Sequence, residues 1–261
     1  MYNKLTDELA VCGLNTVRAL SDVHPEKINR LFLREDRLPL FTGLCRSLAE
    51  RKRPYKICEN EELEKICKTA HHQGIVAMIF EPVVEGAIPE DIDTWADEEK
   101  TGLLLCNVGN EHNLGAIVRS AAFFEASPVI LTDGGGDENE PPKKRLTTAA
   151  YRAAEGGMEY VEFRSVRRPE AFLQSASKKL ITIGTDPRAR VRIRDLPKII
   201  GDQKKYAGRG IVLVIGNEET GLSDEVKEHC SIIARIPGTG TIESLNAAQA
   251  ATLFLQELYE R

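Results

Sequence analysis

Three polar segments of this sequence contain residue types that could bind a ligand and move a proton. Each follows directly on an apolar run of strand length, and they comprise residues 113–119, 216–221 and 236–246. In open α/β sheets, ligands bind beyond the carboxyl ends of the strands, so three such strand exits in one half of the chain predict one composite site. Glycines in the second and third segments would let backbone amides and carbonyls approach a ligand closely, although ordinary turns contain the same glycines.

The second and third segments lack the residues that define the common phosphate-binding loops. Gly216 and Gly221 have the glycine spacing of a P-loop, but Leu222 occupies the position of the lysine that reaches the phosphates. The run 238–240 is followed by Glu243 where the third glycine of a dinucleotide-binding motif would be. The sequence therefore disfavours an NTPase and a nicotinamide or flavin enzyme.

The first segment pairs two polar residues along one predicted helix. Asn113 stands where the pattern predicts a helix N-cap, and Arg119 follows six residues later, nearly two turns on and roughly on the same side. A simple cap and a surface salt bridge are the ordinary alternatives for these two residues.

The charge of the chain restricts how it could bind nucleic acid. At 261 residues with a formal net charge of -5, it has no global positive field, so any such binding must use local basic patches. Three runs could form them or could simply be solvated faces: Arg51, Lys52, Arg53 and Lys56; Lys143, Lys144 and Arg145; and Arg188, Arg190, Arg192 and Arg194, which alternate as on one face of an extended segment.

Cysteine usage predicts a reduced protein without a structural metal. The six cysteines form no C-x-x-C pair, and the five histidines show no metal-ligand spacing with them. No amino-terminal signal pattern is present, and no apolar run approaches the roughly 20 residues of a membrane span. We expect a cytoplasmic protein.

The helices and strands predicted along the chain indicate two α/β domains, the second of which contains the three polar segments. Alternating helix-like and apolar stretches predict a small α/β domain over 1–90. The stretch 82–100 is acidic, contains Pro82 and Pro89 and lacks apolar periodicity, so we predict a linker within it, over 91–100. Over 101–261, strand-like runs separated by helix-like segments predict a parallel sheet with helices on both faces. These runs are 103–108, 128–132, 160–163, 180–185, 211–215 and 232–236, followed by an amphipathic helix over 244–259.

Taken together, the segments resemble a known family in their order and spacing. The runs Asn113-Leu-Gly-Ala-Ile-Val-Arg119, Gly216-Asn-Glu218-Glu-Thr-Gly221-Leu-Ser and Ile236-Pro-Gly with Glu243-Ser244-Leu245-Asn246 resemble the three motifs of the SpoU (TrmH) family of RNA ribose 2'-O-methyltransferases. The resemblance covers about 102–261, and the amino-terminal part looks like the small substrate-binding domain that many members carry.

The resemblance implies a fold, a cofactor and partners. The fold is that of the SPOUT superfamily, an α/β domain with a trefoil knot at its carboxyl end that acts as a homodimer. The cofactor is S-adenosylmethionine, held in the knot loops largely by main-chain groups at Gly216, Ile236 and Leu245, with Thr185 as a weaker candidate. The partner is structured RNA, either tRNA or rRNA, bound by the amino-terminal domain and the basic patches, with neither a metal nor a membrane.

The resemblance also implies roles for Asn113, Arg119, Glu218, Ser244 and Asn246. A ribose 2'-hydroxyl is a poor nucleophile that must lose its proton as it attacks, so positioning and a proton acceptor are both needed. Because arginine is almost always protonated, Arg119 either accepts the proton in a special environment or stabilises the developing alkoxide. Asn113 and Glu218 would orient Arg119 or the ribose, while Ser244 and Asn246 would shape the loop and the dimer contact.

One departure and two rival functions accompany this interpretation. After Asn246 the family usually continues with a valine-rich run, whereas this chain has Ala247-Ala-Gln249-Ala, which affects local packing or the dimer contact more than the chemistry. The rivals are a non-catalytic RNA-binding protein of the same fold, which the intact polar residues disfavour, and methylation of a base, which the 113–119 motif disfavours.

Overall fold

A computed structural model of the chain describes residues 2–3, 7–132 and 146–259, without the side chains of 2–3. The basic run 143–145 therefore lies outside the described residues. The chain divides into two units, the first comprising Met1–Val83 with Arg145–Tyr160 and the second Val84–Lys144 with Val161–Arg261. The small domain of the sequence prediction is thus completed by a segment that returns from much later in the chain.

The elements are numbered in chain order. The strands of the described residues are β1 Tyr2–Asn3, β2 Glu8–Cys12, β3 Ile28–Leu33, β4 Tyr55–Ile57, β5 Ile75–Phe80, β6 Thr101–Leu105, β7 Val129–Thr132, β8 Phe163–Val166, β9 Ile181–Thr185, β10 Val191–Arg192, β11 Ile211–Ile215 and β12 Ile232–Arg235. The α-helices of the same residues are α1 Leu14–Val23, α2 Thr42–Glu50, α3 Asn60–Cys67, α4 Pro89–Asp97, α5 Glu111–Phe123, α6 Thr148–Ala154, α7 Pro169–Ala176, α8 Leu196–Asp202, α9 Asp224–Glu228 and α10 Ala247–Tyr259.

The first unit is built on a mixed sheet with the strand order β1-β2-β5-β3-β4. Strand β5 pairs antiparallel with both β2 and β3, while β4 runs parallel to β3 at the edge. The apolar residues of β5 are buried as far as Ile79, so this strand forms the centre of the core. Strands β3 and β5 coincide with the short apolar runs 28–33 and 75–80 of the sequence.

The segment 146–160 packs on this first sheet. The hydroxyl of Thr148 donates a hydrogen bond to the Ala10 carbonyl at 2.7 Å, and the Lys27 ammonium lies 3.3 Å from the buried Glu159 carboxylate. Gly156 has a φ of 99°, and a Cβ there would lie 2.8 Å from the Cβ of Ala19, so only glycine fits this close approach. These contacts make the segment part of the first unit.

The second unit is built on a seven-stranded sheet with the order β10-β12-β9-β11-β6-β7-β8. Every adjacent pair in it is parallel. The central strand β11, Ile-Val-Leu-Val-Ile, is buried along its whole length, as parallel strands covered on both faces require. The predicted α/β fold with a parallel sheet is confirmed, and the trefoil knot implied by the resemblance stays a prediction.

The predicted linker, 91–100, is instead mostly helical. Helix α4 begins at Pro89, and the Asp91 carboxylate accepts a hydrogen bond from the Ile88 amide at 2.9 Å. Ile92 and Trp95, three residues apart, bury one face of this short helix in the core of the second unit. A helix this short needs only two apolar residues to pack against the core, so no extended apolar periodicity is visible in the sequence. The boundary between the two units falls at 83/84.

Two other expectations differ from the structure. The strand expected at 160–163 is β8, which begins at Phe163, because a 3-10 turn occupies Gly157–Glu159. The arginine run 188–194 is extended only at Val191–Arg192, since the Asp186 carboxylate and carbonyl hold a turn before it and a 3-10 turn begins at Ile193. Its four arginines are nevertheless all exposed.

The packing of Trp95 generates a stability prediction. Its side chain is 2% exposed and meets Phe172 edge to face, with ring centroids 6.4 Å apart. We expect Trp95→Ala to lower the free energy of unfolding by about 3–5 kcal/mol, measured by urea denaturation. The control Asp97→Ala, on an exposed position of the same helix, should change it by less than about 0.5 kcal/mol. Equal small effects of both changes would mean that α4 does not belong to the core.

Candidate active site

The three polar segments meet at one edge of the larger sheet. Strands β6, β11, β9 and β12 are consecutive neighbours in the sheet and all run in the same direction. Residues 113–119 belong to the helix after β6, residues 216–221 follow β11, and residues 236–246 follow β12. The parallel sheet thereby carries all three to its carboxyl edge, where α/β proteins bind ligands.

A chain of side-chain hydrogen bonds joins the three segments. The Asn246 Nδ2 group donates to Asn113 Oδ1 at 2.9 Å, and Asn113 Nδ2 donates to Glu218 Oε1 at 2.8 Å. A carboxylate can only accept hydrogen bonds, so the amino group of Asn113 must face Glu218 and its oxygen must face Asn246. The Asn113 side chain is buried, and it therefore fixes one residue from each segment relative to the other two.

Asn113 is not the N-cap of its helix, contrary to the sequence prediction. The cap of α5 is Asn110, whose Oδ1 accepts hydrogen bonds from the amides of His112 at 2.8 Å and Asn113 at 3.3 Å. Asn113 is the third residue of α5, and because Asn110 satisfies the helix end, the Asn113 side chain is available to the other segments. Both asparagines are cap-forming types, so sequence alone did not distinguish them.

Asn246 has two structural tasks. Its Oδ1 accepts hydrogen bonds from the backbone amides of Ala248 at 2.8 Å and Gln249 at 3.4 Å, so it caps the first turn of α10. Its amino group is left to donate to Asn113. The start of the carboxyl-terminal helix is thereby tied to the start of α5.

Glu218 sits in an environment that favours its charged form. Partial burial raises the pKa of this carboxyl group, but the hydrogen bond from Asn113 and the backbone amides of Glu218, Gly109 and Asn110 outweigh that effect and hold the pKa below its ordinary value. Glu218 is thus a carboxylate near neutral pH. It accepts hydrogen bonds and supplies a fixed negative charge.

A second, independent connection holds the 216–221 loop, and sequence reasoning missed its residues. Asn217 Nδ2 donates to the Asn107 carbonyl at 2.8 Å, while its Oδ1 accepts the amides of Glu219 and Thr220. Asn107 adopts a left-handed φ of 54°, and its amide donates to the hydroxyl of buried Thr132 at 2.7 Å. An asparagine directly after a strand, able to take a positive φ, was the available signal.

Gly216 is required by the packing of its own loop. A Cβ at this position would lie 2.4 Å from the Gly221 carbonyl carbon, because residues Asn217 and Gly221 pair across the loop. The two glycines that suggested a ligand loop therefore also shape a tight turn. At Gly216 the close contact is between two backbone segments of the same loop.

Arg119 lies away from Asn113 on helix α5. Six residues of helix separate it from Asn113 by about 9 Å along the axis and about 120° around it. Arg119 is exposed whereas Asn113 is buried, so the expectation that both lie on roughly one side is wrong. The exposure of Arg119 leaves this residue accessible to an incoming substrate.

The remaining predicted residues lie around the same strand ends. Ser244 and Leu245 are exposed in the third loop, Ile236 is half-buried at its start, and Thr185 ends β9 with its hydroxyl donating to the Val214 carbonyl at 3.2 Å. An added Cβ at Gly238 would have no heavy atom within 4 Å, so the backbone there is open to a ligand. Main-chain groups beside apolar side chains suit a ligand with both polar and apolar parts.

Two negative findings apply to the described residues. Within them, no group of three or more histidine, cysteine or acidic side chains could hold a metal ion. Nor does any helix in this part of the chain have the length and apolar character needed to cross a membrane.

Two family models and several known proteins match the chain. The model of the SpoU rRNA methylase family matches residues 100–256, and a model described as RNA 2'-O ribose methyltransferase substrate binding matches 10–83. The 23S rRNA (guanosine-2'-O-)-methyltransferase RlmB of Acinetobacter baylyi is 29% identical over 261 residues, covering 94% of both chains. The uncharacterized tRNA/rRNA methyltransferase YfiF of Escherichia coli O157:H7 is 28% identical over 98% of this chain and 69% of its own.

A solved structure shares the fold. The AdoMet-bound rRNA methyltransferase from Sinorhizobium meliloti matches with a TM-score of 0.75 at 23% identity, covering 98% of this chain and 88% of that chain. At this sequence identity the match shows a shared fold and gives no information about the chemistry of the site.

The environment of Glu218 generates a titration prediction. In Asn113→Ala the carboxylate loses its side-chain donor, so its pKa should rise from its lowered value, as followed by NMR of carboxyl-labelled glutamate with Glu218→Gln for assignment. Because the folded pKa is depressed, the carboxylate stabilises the protein at higher pH, and this stabilisation is lost as the pH falls through the folded pKa. Ser120→Ala, on the same helix, should leave the pKa unchanged. An unchanged pKa in Asn113→Ala would show that the bond does not form in solution.

Proposed function

The chain belongs to the SpoU family of tRNA/rRNA methyltransferases, and on that basis we propose that it transfers a methyl group from S-adenosylmethionine to a ribose 2'-hydroxyl of tRNA or rRNA. The observation that carries the proposal is the hydrogen-bond chain from Asn246 through Asn113 to Glu218. It links the three motifs on which the resemblance was based. Relatives with a ribose-methylating name support the choice of the 2'-hydroxyl.

The strand exits fit S-adenosylmethionine, which supplies an activated methyl group on its sulfonium. The main-chain groups of Gly216, Ile236 and Leu245 would hold it, with the Thr185 hydroxyl nearby. The loop 236–246 offers what such a ligand needs, namely open backbone at Gly238 and exposed apolar surface, since the Leu245 side chain is 47% exposed. The adenosine part of S-adenosylmethionine needs apolar contacts with its base and hydrogen bonds to the polar edges of the base. The Leu245 side chain would supply the apolar contact, and the main-chain groups of the loop would supply the hydrogen bonds.

The residues of the site have two tasks in methyl transfer. The ribose hydroxyl must be held in line with the methyl group, and its proton must leave as the new bond forms. Asn113 and Glu218 keep the first two loops in register, and Asn246 adds the third. This fixed arrangement orients the reacting groups before the reaction begins, which lowers the entropic part of the barrier.

We assign to Arg119 the contact with the ribose 2'-oxygen of the substrate. Its exposed position on α5 lets it meet an RNA ribose and the adjacent phosphate, either accepting the proton or stabilising the developing alkoxide. Ser244, exposed in the third loop, would contact the substrate or the cofactor from the other side. The first unit, whose residues 10–83 match a substrate-binding family, would bind the structured RNA by shape and phosphate contacts.

A homodimer is part of this proposal, and the surface of α5 and α10 supports it. These helices are joined by a 2.7 Å hydrogen bond between the hydroxyls of Ser120 and Thr252, and they expose Phe123 to 79% and Tyr259 to 61%. Exposed aromatic groups of this size are typical of interfaces. We expect light scattering at micromolar concentration to show a dimer and Phe123→Asp to shift it to a monomer. A monomeric wild type would contradict the proposal.

Methyl transfer to cellular RNA tests the function. The full-length protein is mixed with labelled S-adenosylmethionine and total RNA from a strain that lacks this gene, and the labelled nucleosides are identified. We expect a 2'-O-methylated nucleoside. A methylated base would instead establish base methylation, and absence of label together with measured cofactor binding would favour the non-catalytic RNA-binding function.

In the same assay, Arg119→Ala should lower methyl transfer by about 10²-fold or more, since a group acting on the reacting proton or alkoxide typically contributes that much. Cofactor affinity, measured by calorimetry, should stay within the error of the wild type. Arg119→Lys separates the two roles: retention of substantial activity favours electrostatic stabilisation by the positive charge. Near-normal turnover in Arg119→Ala would remove Arg119 from the mechanism.

A further inference from the structure

Two arginines stand side by side at an edge of the larger sheet. Strand β10 lies at the end of the sheet, and its register with β12 pairs Arg192 with Arg235. Residues in register on adjacent parallel strands project from the same face of the sheet, about 4.8 Å apart at the backbone. The pairing therefore places two arginines of like charge side by side on one face of the sheet.

No acidic side chain in the described residues forms a salt bridge with either of these arginines. The two acidic residues of the neighbouring loops that form salt bridges have other partners: Asp186 lies 3.1 Å from the Lys227 ammonium, and Glu243 lies 3.2 Å from the Arg188 guanidinium. Like charges directly opposite on neighbouring strands destabilise a sheet. The positive charge of the pair is therefore not balanced by a salt bridge within the described residues and can be used to bind an anionic ligand.

The position of the pair relates it to the candidate site. Arg235 is the last residue of β12 and immediately precedes Ile236, so the pair lies at the carboxyl edge, where the three polar segments lie. The Arg188–Glu243 contact joins the same arginine run to the 236–246 loop. Arg190 and Arg194 are exposed on either side of β10. Positive charge therefore extends along this edge in a protein whose formal net charge is -5.

We propose that Arg192 and Arg235 together bind a phosphodiester group of the substrate RNA beside the site of methyl transfer. The inference rests on the proposed function for the identity of the RNA. Guanidinium groups present planar donor forks that match phosphate oxygens, and the bound phosphate relieves the repulsion between them. An extended polyanion suits the series of arginines along this edge better than a single small anion does, because successive phosphates can reach successive side chains.

The test is the salt dependence of RNA binding by the full chain. Fluorescently labelled unfractionated tRNA and labelled fragmented rRNA are titrated with the wild type, Arg192→Ala, Arg235→Ala and the double variant over a range of potassium chloride concentrations. Because the two arginines share one phosphate, the double variant should reduce the slope of log K against log salt by about 0.7–0.9, and each single variant should reduce it by part of that amount. Arg192→Lys should retain most of the slope with a weaker affinity, because the charge remains while the fork is lost.

The control is Lys178→Ala, an exposed cation that precedes β9 and so lies at the opposite, amino edge of the sheet. It should leave the slope unchanged. Thermal unfolding adds a second readout: Arg192→Ala should keep or raise the Tm, because it removes a repulsion, whereas an arginine needed for structure would lower it. Unchanged slopes in both single variants, or a lowered Tm without any loss of RNA affinity, would overturn the proposal.

Failure of this inference and failure of the proposed function are distinguishable. If the wild type methylates a ribose while the arginine variants bind RNA with an unchanged slope, the function stands and the phosphate site falls. If the wild type transfers no methyl group but the slopes decrease as expected, the phosphate site stands in an RNA-binding protein without that activity.

Discussion

The buried amide of Asn113 is the interaction on which the candidate site depends. Its two ends are chemically different, and each is matched to a partner: the amino group to the Glu218 carboxylate and the oxygen to the Asn246 amino group. Removing a partner of a buried polar group costs the desolvation of the group left behind, about 1–3 kcal/mol. A small displacement of any of the three loops would break this chain, which is why the loops hold one arrangement.

That arrangement is possible because the helix ends are satisfied elsewhere. Asn110 caps α5, and the oxygen of Asn246 caps α10, so the two helices begin beside each other with their amides bonded. The Asn217 contact with Asn107 holds the second loop even without Asn113. The site is thus positioned by two sets of hydrogen bonds, one that joins Asn246, Asn113 and Glu218 and one that joins Asn217 to Asn107, outside the motifs. Arg119 and Ser244, the residues that we propose face the substrate, are both exposed.

Positive and negative charges are distributed unevenly along the chain. The chain as a whole is acidic, yet arginines accumulate along β10 and at the end of β12, close to the polar loops. A local field of this kind can guide a polyanion to one edge of the sheet while the net charge limits binding elsewhere. In the proposed function, RNA binding and methyl transfer would share this edge, because parallel strands bring all their carboxyl ends to it.

The sequence by itself determined the second domain's class and the composition of its site. A continuous apolar run as short and as rich in β-branched residues as 211–215 favours a strand covered on both faces, and the polar segments after such strands are expected to meet because parallel strands end together. What only the tertiary structure decided depends on contacts between residues far apart in the chain. The N-cap of α5 is Asn110 rather than Asn113, and the expected linker contains a helix that buries Trp95 in the core. Residues 146–160 belong to the first unit. Local pattern cannot show these outcomes, because each one is set by the partner that a side chain finds after the chain has folded.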